Sequence, residues 1–145
     1  LYMTYMEKLN IAGMAVGAVL YGWYLSVIAG RLGSVPIEQL GYKTELAFTL
    51  LGFVVLITVA AIVIAIFDHK ELKDNADGED ERDKKIYRNG DLISGNVLGG
   101  FVTLLLIVVC FVDLHTFWVA NALMASIVLS GIIGQLVKML DYRLG

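Results

Sequence analysis

The chain has 145 residues, 58% of them hydrophobic and only 17% charged, with a net charge of −3 at neutral pH and a mean hydropathy of +0.74. That balance is shifted away from a water-soluble domain and toward one solvated by lipid. The charge total carries little meaning, because most of the charges crowd into one segment, and no nucleic-acid partner is expected.

The first apolar stretch, 9–30, is uncharged and about 22 residues long; 46–67, 92–112 and 116–137 match it in length and in lack of charge. At 1.5 Å rise per residue each makes ~32 Å of helix, close to the ~30 Å hydrocarbon core of a bilayer. A soluble domain of this size has no interior that could bury four such rods on all faces. The pattern predicts an all-α membrane protein with four transmembrane helices in a single domain over 1–145, leaving no room for a separate globular domain. The chain opens on Leu1 rather than Met, so a few leading residues are expected before it. The first span is long enough to be a true helix and needs no cleaved signal peptide.

Span one passes through Gly13, Gly17, Gly22 and Gly30, and carries a row of small residues four apart: Ala18, Gly22, Ser26 and Gly30. Glycine is tolerated in membrane helices because it admits close backbone approach. The connection after it holds the only proline, Pro36, in a Gly-Ser-Val-Pro run that ends the helix or turns the chain. Span two is nearly featureless, with Thr58 the only hydroxyl in its central part, and reads as a lipid-facing helix.

Segment 68–89 holds eight acids together with Lys70, Lys73, Arg82, Lys84, Lys85 and Arg88. Lys8 precedes span one, and Lys138 and Arg143 follow span four, while the opposite side has only Arg31 and Lys43. The positive-inside rule therefore places both termini and this middle segment in the cytoplasm, N-in and C-in. Aromatic belts agree: Tyr2, Tyr5, Tyr87 and Tyr142 fall at the inner boundary, and Tyr21, Trp23, Tyr24, Tyr42, Phe117 and Trp118 toward the outer one. Within the segment a turn is expected at Asn75-Ala76-Asp77-Gly78. Asp77 with Asp80 resembles an N-cap, and Asp80–Lys84 and Glu81–Lys85 are oriented i,i+4 pairs. Helix three is expected to start near Glu79 and run unbroken into the membrane. Its charged entry, Glu79, Asp80, Glu81, Arg82, Asp83, Lys84, Lys85 and Arg88, is a candidate surface for a cytoplasmic protein partner.

Spans three and four are joined by only Asp113-Leu114-His115-Thr116, which forces a tight antiparallel hairpin. Two further rows of small residues lie on it, Gly95/Gly99/Thr103 and Ala122/Ser126/Ser130/Gly134, and such rows are contact faces in lipid. If they face one another, Gly95 lies level with Gly134 and Thr103 with Ser126, and Asn96 comes within reach of Gln135 or Ser130. Asp91, one turn from Arg88, is expected to form an interfacial ion pair with it.

The residues that carry chemistry are sparse. No Asp, Glu, Lys or Arg falls near a midplane, which argues against a proton-coupled carrier, and no inverted repeat or broken helix suggests a secondary transporter. His69 and His115 lie at opposite ends of spans and lack His or Cys neighbours at ligand spacing. Cys110 is alone inside span three. There is no phosphate loop, nucleophile elbow or HExxH motif, so neither an enzyme nor a cofactor is expected.

The Glu-Asp-Glu-Arg-Asp entry, the tight two-span hairpin, Phe117-Trp118-Val119-Ala120-Asn121 and the closing Tyr142-Arg143-Leu144-Gly145 resemble a group of small bacterial and archaeal membrane proteins classed as a domain of unknown function. That resemblance covers residues 79–145. It implies a bacterial or archaeal cytoplasmic membrane and supplies no activity or catalytic residues. The expected function is that of a non-enzymatic membrane component working through helix–helix contacts, as a homo-oligomer or a small subunit of a membrane complex. The alternative is a small channel or transporter with Asn96, Thr103, Ser126 and Ser130 along its path.

Overall fold

The computed structural model describes residues 3, 5–69 and 81–144. Tyr2, Lys70, Lys73, the turn at 75–78, the Asp77 and Asp80 cap, Glu79 and the Asp80–Lys84 pair lie outside the described residues. Within them the chain is all-helical: α1 (Tyr5–Leu32), a 3₁₀ turn (Ile37–Gln39), α2 (Lys43–Phe67), α3 (Glu81–Phe111) and α4 (Thr116–Leu144). All four long helices have the length and apolar character needed to cross a membrane.

The chain divides into two compact units, Leu1–Gly78 and Glu79–Gly145, each built on an antiparallel pair of helices. In the first unit α1 ends where Ser34 N–H donates to the Arg31 carbonyl and Pro36, which lacks an N–H, prevents further helix. The 3₁₀ turn is held by Gln39 N–H to the Pro36 carbonyl at 3.0 Å. Arg31 then reaches across the connection, donating to the Gly41 carbonyl at 2.6 Å and pairing with Glu45 at 2.7 Å.

Three glycines lie along the contact between α1 and α2, each with room for a Cβ. A Cβ on Gly13 would stand 3.4 Å from Ile57 Cδ1, and one on Gly17 would stand 3.5 Å from Phe53 Cε2. Leu20 answers from α1 over Gly52 at 3.6 Å. An added methyl at any of the three would meet its neighbour at ordinary van der Waals distance, so this pair packs at a spacing that does not depend on glycine. Gly22 and Gly30 meet nothing within 4 Å, so the expected row Ala18/Gly22/Ser26/Gly30 lies off this contact. At the end away from the turn, Lys8 Nζ pairs with Asp68 at 2.7 Å and the Tyr5 hydroxyl donates to the Ala61 carbonyl at 3.4 Å.

In the second unit α3 runs unbroken from Glu81 through Asn89-Gly90-Asp91 to Phe111, as the charge pattern leads one to expect. The connection to α4 is short, and His115 caps the new helix: Phe117 N–H donates to His115 Nδ1 at 3.1 Å, and Trp118 N–H to its carbonyl at 2.9 Å. A side-chain acceptor before the first turn satisfies an amide that the helix itself leaves orphaned.

The exterior is apolar to a degree unusual for a protein in water. On α2 alone Phe48, Leu51, Val54, Val55, Ile62 and Ile66 are each more than half exposed, where soluble monomers rarely show apolar patches beyond a few hundred Å².

The Arg31–Glu45 pair supplies a pH test. Glu45 lies beyond stretch 46–67, and its carboxyl is held below its ordinary value of 4.5, first by a hydrogen bond from its own backbone and then by Arg31. A carboxyl whose pKa is lower folded than unfolded stabilises the fold above the unfolded value and loses that contribution as pH falls through the folded one. Thermal unfolding in detergent should show wild type above Glu45→Gln at neutral pH, with the gap closing as the solution is acidified well below 4.5.

Candidate functional site

Where polar side chains of the second unit meet across the helix pair, at the end away from its turn, the sequence changes from charged to apolar on both helices. Gly90 of α3 and Gly134 of α4 are both buried and bring the backbones together there. A Cβ on Gly134 would lie 2.8 Å from Ser94 Cβ and 3.2 Å from the Gly90 carbonyl oxygen. One on Gly90 would run into the Lys138 stem, with Cε at 2.7 Å, and would sit 3.1 Å from the Gly134 carbonyl oxygen.

This closeness lets Ser94 donate to the Ser130 carbonyl at 2.9 Å. The other serine and threonine hydroxyls that bond within the four apolar stretches turn back on their own helix: Ser26 to Trp23, Thr49 to Glu45, Thr58 to Val54, Thr103 to Gly99, Ser126 to Ala122 and Ser130 to Ile127. Back-bonding satisfies a hydroxyl in an apolar setting without a partner helix. Ser94 alone among them ties two helices.

Lys138 closes the site. Its residue is only 7% exposed, yet its ammonium lies 2.6 Å from Asp91 Oδ1 and 4.8 Å from the centre of the Tyr87 ring. A carboxylate and an aromatic face together replace water around the buried cation. The arrangement is lopsided, because the Asp91 side chain is 71% exposed. Asp91 therefore faces outward with one oxygen given to Lys138. Tyr87 also meets Tyr142 edge to face at 6.4 Å. Burial pushes the Tyr142 phenol far above its usual range, and the neighbouring Tyr87 and Asp83 add to the shift.

The expected pairing of small-residue rows differs from this geometry. On α4, Ser126, Ser130 and Gly134 are buried and Ala122 is half-buried. On α3, Gly95 and Gly99 meet nothing within 4 Å, and Thr103 and Asn96 are exposed. The physical reason is phase: consecutive residues on a helix are about 100° apart, so the row through Gly90 and Ser94 faces α4 while the row beginning one residue later turns away. It is Gly90 and Ser94, not Gly95, that lie level with Gly134. Asn96 does not reach Gln135, whose Oε1 is buried and accepts no hydrogen bond among the described residues. Asp91 takes Lys138 as its partner in place of Arg88.

Within the charged entry of α3, Glu81, Arg82, Lys84, Lys85 and Arg88 are exposed and Asp83 is half-buried. Sequence reasoning passed over Tyr87, Gly90, Ser94 and Lys138 as a group. Their signal was the alternation of four and three residues through Asp83, Tyr87, Gly90 and Ser94, which is that of a packed helix face.

Set against known protein families, curated proteins and solved structures, the chain has no match.

The geometry ranks substitutions. Gly134→Ala places a methyl against Ser94 Cβ and a carbonyl, neither of which can swing aside, so the helices must separate. The expected cost is about 1–3 kcal/mol, as for overpacking. Gly99→Ala meets open space and gains helix propensity, up to ~1 kcal/mol. Thermal unfolding in detergent should therefore lower the midpoint for Gly134→Ala and leave it unchanged or raised for Gly99→Ala.

Proposed function

We propose that this protein is a non-enzymatic integral membrane protein that works through helix–helix contacts, as a homo-oligomer or as a small subunit of a larger membrane complex. One observation carries the reading: large apolar side chains are exposed along all four helices, while Thr58, Ser94, Thr103, Ser126 and Ser130 within the apolar stretches bond inside their own hairpins. A surface of that kind is stable against acyl chains and other apolar helices, and unstable against water. The basic residues set the orientation as N-in and C-in, with 68–89 in the cytoplasm and its charged face available to a cytoplasmic partner. The proposed location is a bacterial or archaeal cytoplasmic membrane, as the resemblance drawn from the sequence of residues 79–145 implies.

Topology is tested with Cys110 replaced and a cysteine placed at Asp77. An impermeant thiol reagent should label it only after the membrane is opened; labelling in intact cells overturns the orientation. Gentle solubilisation followed by mass spectrometry should recover the chain with further copies or with other membrane subunits. A lone monomer that supports saturable flux of a solute into liposomes would instead establish the channel or transporter reading.

A further inference from the structure

We propose that the exposed cationic face of α3 formed by Lys85 and Arg88 binds the headgroup of an anionic phospholipid, and that the Lys138–Asp91 pair keeps this face charged. The inference rests on the membrane reading above and adds a specific ligand chemistry to it.

Three carboxylates of α3 could neutralise these two cations, and two of them are diverted. Asp91, three residues from Arg88 and on a neighbouring position of the helix surface, gives an oxygen to Lys138 of α4 at 2.6 Å. Asp83 lies beside Tyr142, on the side that packs against α4. Glu81 remains, a turn farther from the apolar stretch than Lys85, and makes no ion pair with a described residue. Lys85 and Arg88 are exposed and likewise form no ion pair with a described residue.

Position supplies the rest. Lys85 and Arg88 are three apart and share a face, and Leu92, four beyond Arg88 on that face, is 57% exposed. Arg88 thus stands about 6 Å along the helix axis from the first exposed apolar residue of a membrane-length helix. That is headgroup depth when Leu92 meets acyl chain. A guanidinium there can hold a phosphate through two parallel hydrogen bonds, and an ammonium one turn farther out adds charge. Charge complementarity selects an anionic headgroup over a zwitterionic one.

The test uses the whole protein reconstituted in phosphatidylcholine vesicles containing spin-labelled phosphatidylglycerol or spin-labelled phosphatidylcholine. Electron spin resonance then reads the protein-associated fraction of each label. Wild type should favour phosphatidylglycerol severalfold, each cation being worth about fivefold at an anionic surface, and the preference should shrink with added salt. Lys85→Gln/Arg88→Gln should bring the ratio close to one. Lys138→Met should also lower it, because Asp91 is released toward Arg88, and Lys138→Met/Asp91→Asn should restore it. Equal association of both lipids with wild type, or a preference that survives Lys85→Gln/Arg88→Gln, overturns the site. A Lys138→Met protein that keeps the full preference overturns the role of the ion pair. Absence of any protein-associated lipid signal with either label would count against the membrane reading itself.

Discussion

How closely α3 can lie against α4 is decided by two side chains that are not there. At Gly90 and Gly134 the backbone carbonyl of each helix comes within about 3.2 Å of where the other would carry a Cβ. Two polar contacts across that hairpin follow from this approach. Ser94 can span to the Ser130 carbonyl only because the helices are this close, and the Lys138 stem passes over Gly90 to reach Asp91 because no methyl blocks it. A single hydroxyl bond between membrane helices contributes on the order of 0.6 kcal/mol, so the packing carries the hairpin and the polar contacts fix its register.

The first hairpin is packed by another arrangement. There bulky residues face glycines at a spacing that would still admit a methyl, Phe53 at Gly17, Ile57 at Gly13 and Leu20 at Gly52, so the helices are not drawn in as far as α3 and α4. Both hairpins join a lysine of one helix to an aspartate of the other chain segment at the end away from the turn, Lys8 with Asp68 and Lys138 with Asp91. Placed just outside the apolar stretches, such pairs close the open end of a hairpin without burying both charges. That avoids the steep desolvation cost of an ion pair at depth.

The four helices were legible in the sequence because length and lack of charge are one-dimensional properties, and the continuity of α3 followed from its charge pattern. The contact faces were less so. A four-residue spacing identifies a row but not its rotation about the helix, and α3 carries two such rows one residue apart. Gly95/Gly99/Thr103 lies wholly inside the apolar stretch and drew the eye. The row that packs begins at Gly90, in what reads as the charged approach. The same boundary concealed the ion pair, since Asp91 has Arg88 close in sequence whereas Lys138 lies beyond the end of the last apolar stretch. The bound faces of α1 were obscured in the same way, Gly13 and Gly17 being used and Gly22 and Gly30 left open.

The connection from Phe111 to Thr116 bears on how such a chain enters a bilayer. Four intervening residues reach at most ~17 Å when extended, far short of the ~30 Å needed to cross again. If α3 crosses a bilayer, α4 has to begin its return beside it, and the two helices would enter as one folded-back unit. Their glycine contact would then form between segments already held in register, with no search through the plane of the membrane. The first hairpin, with its longer connection through Pro36, would have more slack at the same step.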